Sequence, residues 1–274
     1  MKTGIISLAL FSLIFLLGCN LSKKKTSQSE TYTTTQVQKL THEGDFYRLH
    51  YQPIDKAQGE KIIQWLDQGK SNVKDFFKTD FKKEFDVYIF PERDSLDAQW
   101  QKDWNMPEFK SQCWMVASGI AHRLDILSPR VWPTQGCEHD SNDEEATRKL
   151  ILHELIHVFH GQYNPSPTFE HIDNIDWLVE GLAVYASGQL DAERYDRAKN
   201  SIQKGEGPVT LANIWKGEHR YGYSGSLVKY IDDTYGRDVL IQLMGLTTAD
   251  EVLKLLHTTE EELLEQWRQS FNKN

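Results

Sequence analysis

The chain has no excess of basic residues. Its 31 Lys and Arg stand against 40 Asp and Glu, a formal net charge of −9. A surface of that sign cannot neutralise phosphates, which excludes nucleic acid as a partner. No internal repeat is evident, so repeat architectures drop out. Cysteine is scarce: Cys19, Cys113 and Cys137 are the only three in 274 residues. That is too few for a disulfide scaffold, and a chain of this length buries a core without one. The one long apolar run, at residues 4–18, is too short for a comfortable membrane span.

That run explains the first cysteine. Lys2 is followed by "GIISLALFSLIFLLG", and the apolar stretch stops at "LLGC". The pattern resembles a bacterial lipoprotein signal, cut before Cys19, which then carries the lipid; an uncleaved anchor is the alternative. Residues 1–18 are therefore read as signal peptide and 19–40 as a polar tether, with the mature chain held outside the cytoplasm on a bacterial membrane. Residue 20 is Asn, which permits outer-membrane sorting where the host has two membranes; otherwise the anchor lies on the outer face of the cell membrane. Export makes Cys113 and Cys137 candidates for a disulfide, against the alternative of two buried thiols.

From residue 41 the chain reads as two parts, 41–140 mixed and 141–274 helical, together one unit. "DFYRLHY" (45–51) and "EFDVYIF" (84–90) alternate as strands. Ile62, Ile63, Leu66, Val73, Phe76 and Phe77 fall at helical spacing. "GIAHRLDILSP" (119–129) reads as one strand with a polar face, suited to a sheet edge. "SNDE" (141–144) resembles a capping box of Ser141 with Glu144, and Gly161 a helix stop.

Between them lies "LILHELIHVFHGQY" (150–163), three histidines and a glutamate in an apolar helix. His153 and His157, four apart, project from one face and suit a shared Zn²⁺. Glu154 cannot reach that ion from the same turn, but can reach a water beside it. HExxH alone is a weak pattern, and two satisfied core histidines would also fit. The next helix, "NIDWLVEGLAVYASG" (174–188), places Glu180 in apolar company, where a carboxylate is costly unless paired or bound to metal. The metzincin continuation fails, since His160 stands where glycine is needed and Tyr163 where histidine is needed. His160 itself reads as a helix-end histidine or a flank of the site.

"HELIH" followed by "WLVEGLAVYASG" resembles the gluzincin superfamily of thermolysin- and aminopeptidase-like zinc peptidases, in particular a small bacterial group with a W-[LI]-x-E-G-x-A-x-Y helix. The resemblance spans about residues 84–245. It implies an α+β fold: a small mixed sheet with an edge strand, beside a mainly helical C-terminal half, with the active-site helix in the cleft. It implies that His153, His157 and Glu180 bind one Zn²⁺ and that Glu154 is the catalytic base. Tyr221, with Tyr223 as the alternative, corresponds to the donor that holds the oxyanion. No GxMEN motif is present to capture a substrate amino terminus, which favours an endopeptidase acting on peptide or protein. The competing readings are a non-catalytic surface lipoprotein that binds peptide or protein on the same fold, and hydrolysis of a non-peptide amide or ester.

Overall fold

The computed structural model describes residues 39–272. The signal peptide, Cys19 and all but the last two residues of the tether lie outside the described residues.

The sheet is built from five short strands, β1 (Leu40–Glu43), β2 (Tyr47–Tyr51), β3 (Phe85–Phe90), β4 (Ala117–Ile120) and β5 (Arg123–Leu127), in the order β1-β2-β3-β5-β4. β2, β3 and β5 run parallel, and β1 and β4 are antiparallel to their neighbours. Between β2 and β3 the chain crosses over through helix α1 (Lys56–Phe77), which buries Ile62, Leu66, Val73 and Phe77. These four share one face at helical spacing. α1 ends where Lys78 turns into the left-handed region.

On the other face lies α2 (Arg93–Asp103) with the single-turn α3 (Trp132–Gln135). Leu96, Trp100, Val116, Leu127, Val131 and Trp132 form a separate core there. Trp100 donates its indole N–H to the buried Asp125 carboxylate on β5. A disulfide joins Cys113 to Cys137.

The rest of the described chain is helical: α4 (Glu144–Tyr163), α5 (Asp176–Ala186), α6 (Ala192–Gln203), α7 (Leu211–Ile214), α8 (Arg220–Tyr235), α9 (Arg237–Leu243), α10 (Ala249–Leu256) and α11 (Glu260–Ser270). The architecture is α+β, a small mixed sheet beside a helical half.

Three local expectations are corrected. Residues 119–129 are not one strand. The chain turns at Ala121 and His122, so of this segment β4 lies at a sheet edge and β5, with Leu124, Ile126 and Leu127 fully buried, is interior. The cap of α4 is Asp143, whose carboxylate accepts from the Ala146 N–H; Ser141 lies two residues too early. Gly161 does not stop α4. It lies inside the helix because a Cβ there would come within 3.0 Å of the Ala121 backbone and the Pro167 carbonyl oxygen.

Candidate metal centre

α4 starts with Glu144 and Glu145 in its first turn, where carboxylates complement the helix dipole. It then buries side chains almost all round: Ile151, Leu152, Leu155, Ile156, Val158 and Phe159 enter the main core. One strip remains for His153 and His157. β4 lies directly over that strip. At Gly119 a Cβ would fall 2.2 Å from the Glu154 carbonyl oxygen and 3.1 Å from His157 Cβ, so only glycine lets the strand settle there.

Glu180 arrives on α5. Its neighbour Gly181 explains how: a Cβ there would lie 2.5 Å from the Ser224 carbonyl oxygen on α8. The glycine after the glutamate lets α5 and α8 press together, and α8 carries Tyr221. The E-G pair is thus a packing device as well as a ligand position.

Three atoms converge. His153 Nε2 and His157 Nε2 are 3.0 Å apart. Glu180 Oε2 is 3.4 Å from the first and 3.6 Å from the second. A tetrahedral Zn²⁺ with arms of about 2.0–2.1 Å would separate its ligand atoms by roughly 3.3 Å, inside this range. Among the described residues this is the group whose donor atoms could hold a metal ion. Two imidazoles and one carboxylate form a donor set suited to zinc, with a fourth position left for water or substrate.

The electrostatics favour a cation as well. Burial would raise the Glu180 carboxyl, but the neighbouring His157 and His153 outweigh it and hold the group below the usual carboxylate range. Burial would lower His157; the Glu180 charge prevails and raises it. Proton and metal therefore compete for the same imidazole lone pair. Neither histidine's Nδ1 meets a hydrogen-bond partner among the described residues, so packing orients the rings. Phe169 stands edge-on to His157, with 6.2 Å between ring centroids.

Around the triad runs a cleft in two compartments. One, of about 390 Å³, is lined by Ile120, Phe169, Val179, Glu180 and Trp215. The other, of about 480 Å³, extends toward the start of α4 and is lined by Ala146, Leu150, Arg194 and Arg220. Trp114, Ala117, His153, Glu154 and Tyr221 line both. Glu154 therefore sits at the junction, beside the triad and outside it.

The two candidate tyrosines separate. Burial raises the Tyr221 phenol, and the charges of Glu180 and Glu154 raise it further against an opposing Arg220. Tyr221 is thus a protonated donor at the cleft. Tyr223 is buried in the core and donates to Ser201 Oγ at 2.7 Å, away from the cleft. His160 lies in the last turn of α4, at the helix end. It is fully buried, three residues before the helix ends, and packs on Phe169. Burial, with His157 nearby, pushes its imidazole down to about 3, so it stays neutral. Asp176 lines the cleft, whereas Asp173 is tied by its backbone to Thr247 and Ala249. Trp114, Trp215 and Arg220 were not foreseen. They sit in or beside loops, where no periodicity marks which side chains face a cleft.

The family model described as the peptidase MA superfamily matches residues 137–273, half of the chain. The match begins at Cys137 and takes in α4 to α11. No curated protein matches the chain.

Proposed function

The chain belongs to the peptidase MA superfamily, and we propose that it is a zinc-dependent peptidase, exported and lipid-anchored, that cuts within peptide chains. The observation that carries this reading is the convergence of His153 Nε2, His157 Nε2 and Glu180 Oε2 beside Glu154 in a cleft.

His153, His157 and Glu180 would hold one Zn²⁺. Bound there, zinc supplies Lewis acidity, which makes water acidic enough to attack near neutral pH and polarises a substrate carbonyl. Glu154 accepts the attacking water's proton on its carboxylate and passes it to the departing amine. The Tyr221 phenol donates to the carbonyl oxygen as charge builds on it. β4 contributes its unpaired outer edge, along which an extended substrate backbone can add as a further strand. The cleft continues on both sides of Glu154, so a chain can lie through it, and this supports internal cleavage. The lipid on Cys19 would hold the enzyme at the outer membrane or the outer face of the cell membrane, and protein outside the cytoplasm would be its substrate.

The test is hydrolysis of casein by the zinc-loaded full chain and by Glu154→Gln, with products read by mass spectrometry. The parent should release internal fragments, and the variant should lose about 10²–10⁴-fold in rate. A parent inactive on every protein and peptide offered, with zinc bound, would overturn the enzymatic reading in favour of a binding role.

A further inference from the structure

Arg220 opens α8, next to Tyr221, and lines the cleft compartment that reaches toward the start of α4. Its environment is unusual for a guanidinium. The Nε is buried and meets no hydrogen-bond partner among the described residues. Three aromatic rings hold the group instead, with Trp215 and Tyr221 centroids 5.2 Å from its central carbon and Trp114 at 5.7 Å. Rings fix the plane of a guanidinium, and here the Tyr221 hydroxyl also accepts from one of its N–H groups.

Five acids line this compartment; Glu138 and Glu154 border it, and the other three are engaged elsewhere. Asp143 caps α4 by accepting from the Ala146 N–H. Asp191 caps α6 by accepting from the Arg194 N–H. Glu145 takes a two-pronged pair from Arg148. A second guanidinium, Arg194, lies on the same wall, 5.5 Å from the Tyr221 centroid, with one arm donating to the Gln189 carbonyl. The compartment thus offers an oriented guanidinium, not all of whose N–H groups are committed, beside the cleft, and a planar fork matches a carboxylate better than any other common peptide group.

We infer that Arg220 is a specificity-determining residue that receives a carboxylate of the substrate, either an acidic side chain or a free carboxyl terminus, in the compartment next to the metal centre. The inference rests on the peptidase reading for the word substrate, but the recognition itself needs only binding. Arg194 assists from the same wall. The preference is set against an apolar floor, since Leu150 and Ala146 line the same space.

Binding and cleavage can be measured apart. The full chain carrying Glu154→Gln is titrated calorimetrically with three peptides of one sequence: neutral with an amidated end, neutral with a free carboxyl terminus, and amidated with one glutamate scanned through each position. One carboxylate-bearing form should bind on the order of tenfold to a hundredfold more tightly than the neutral amidated twin, as expected for a charge-assisted pair. Which form gains identifies the source. Adding Arg220→Gln should bring the ratio to about one, while Arg220→Lys, which keeps the charge and loses the fork, should retain a minor part of it. Equal binding of all three forms, or a preference that survives Arg220→Gln, would overturn the inference. Cleavage of the same peptides by the parent is scored separately. Hydrolysis without a carboxylate preference sinks this inference alone, and a preference without hydrolysis sinks the peptidase reading alone.

Discussion

Glu180 is ionised in a place where a lone carboxylate would be costly, and Tyr221 is protonated across the cleft from it. The two states have different origins: His157 and His153 keep Glu180 ionised, whereas burial, helped by the charges of Glu180 and Glu154, keeps the Tyr221 phenol protonated. A phenol kept protonated by burial and neighbouring carboxylates retains its proton to donate, which suits it to an oxygen that gains charge during reaction. Tyr221→Phe should therefore lower kcat by about 10²–10³-fold with little change in KM, as removal of an oxyanion donor does elsewhere. Steady-state kinetics on one peptide checks this; a rise in KM alone would make Tyr221 a binding residue only. At this scale the sequence was most legible where spacing carries chemistry. His153 and His157 at four residues, and Glu180 in an apolar helix, could be named because helix geometry and the cost of burying charge leave few options. Arg220 and Trp114 could not, because their roles depend on which loops meet across the cleft. Tyr221 and Tyr223 were separable only once the turn of α8 was known.

Elements explain why the site residues meet. β4 bears on α4 through Gly119, and α5 bears on α8 through Gly181, so two glycines set the distances among strand, base and ligands. In sequence, Gly119 looked like the first residue of a long alternating strand, and its alternation continued through His122 into β5. Alternation reports which side chains are buried and does not report a tight turn, so the hairpin was hidden. Gly161 misled in the same way. A glycine near a helix end usually marks a stop, but here it answers the backbone of Ala121. The two C-terminal capping boxes, Thr248 with Glu251 and Thr259 with Glu262, form in full. Gly119→Ala tests the element account. Its methyl would meet backbone, which no rotamer change relieves, so β4 must lift from α4. The expected outcome is a stability loss of about 1–3 kcal/mol and a fall in kcat/KM with zinc still bound. Unchanged kinetics and thermal unfolding would mean the strand does not bear on the site.

The sheet side and the helical half are joined by more than the cleft. Asp232 on α8 accepts from Arg237 Nε and from the Tyr185 hydroxyl of α5, both at 2.8 Å. Arg237 also donates to the Phe76 carbonyl at the end of α1, with its guanidinium 3.5 Å over that ring. Burial would raise the Asp232 carboxyl, but the Arg237 and Tyr185 hydrogen bonds outweigh it and hold it below the usual range. A depressed carboxylate stabilises the fold above its unfolded value, near about pH 4, and that contribution is lost as pH falls through the lower folded value. Asp232→Asn should cost about 1–3 kcal/mol at neutral pH, and the gap from the parent should narrow below about pH 4. Urea unfolding of both proteins at the two pH values reads this directly, and a gap independent of pH would contradict it. The general architecture was legible because helical periodicity runs through most of the chain after residue 141 and the apolar strands stand apart. Strand order and this four-element junction were not, since both depend on long-range contacts.

The most direct test of the whole account is zinc affinity and stoichiometry, measured on the full chain, on Glu154→Gln and on Glu180→Gln. The account predicts one zinc per chain in the parent, the same affinity in Glu154→Gln, and a loss of more than about tenfold in Glu180→Gln, where a ligand rather than a neighbour has been altered. A parent that binds no zinc at neutral pH, or a Glu154→Gln variant that loses as much affinity as Glu180→Gln, would contradict it.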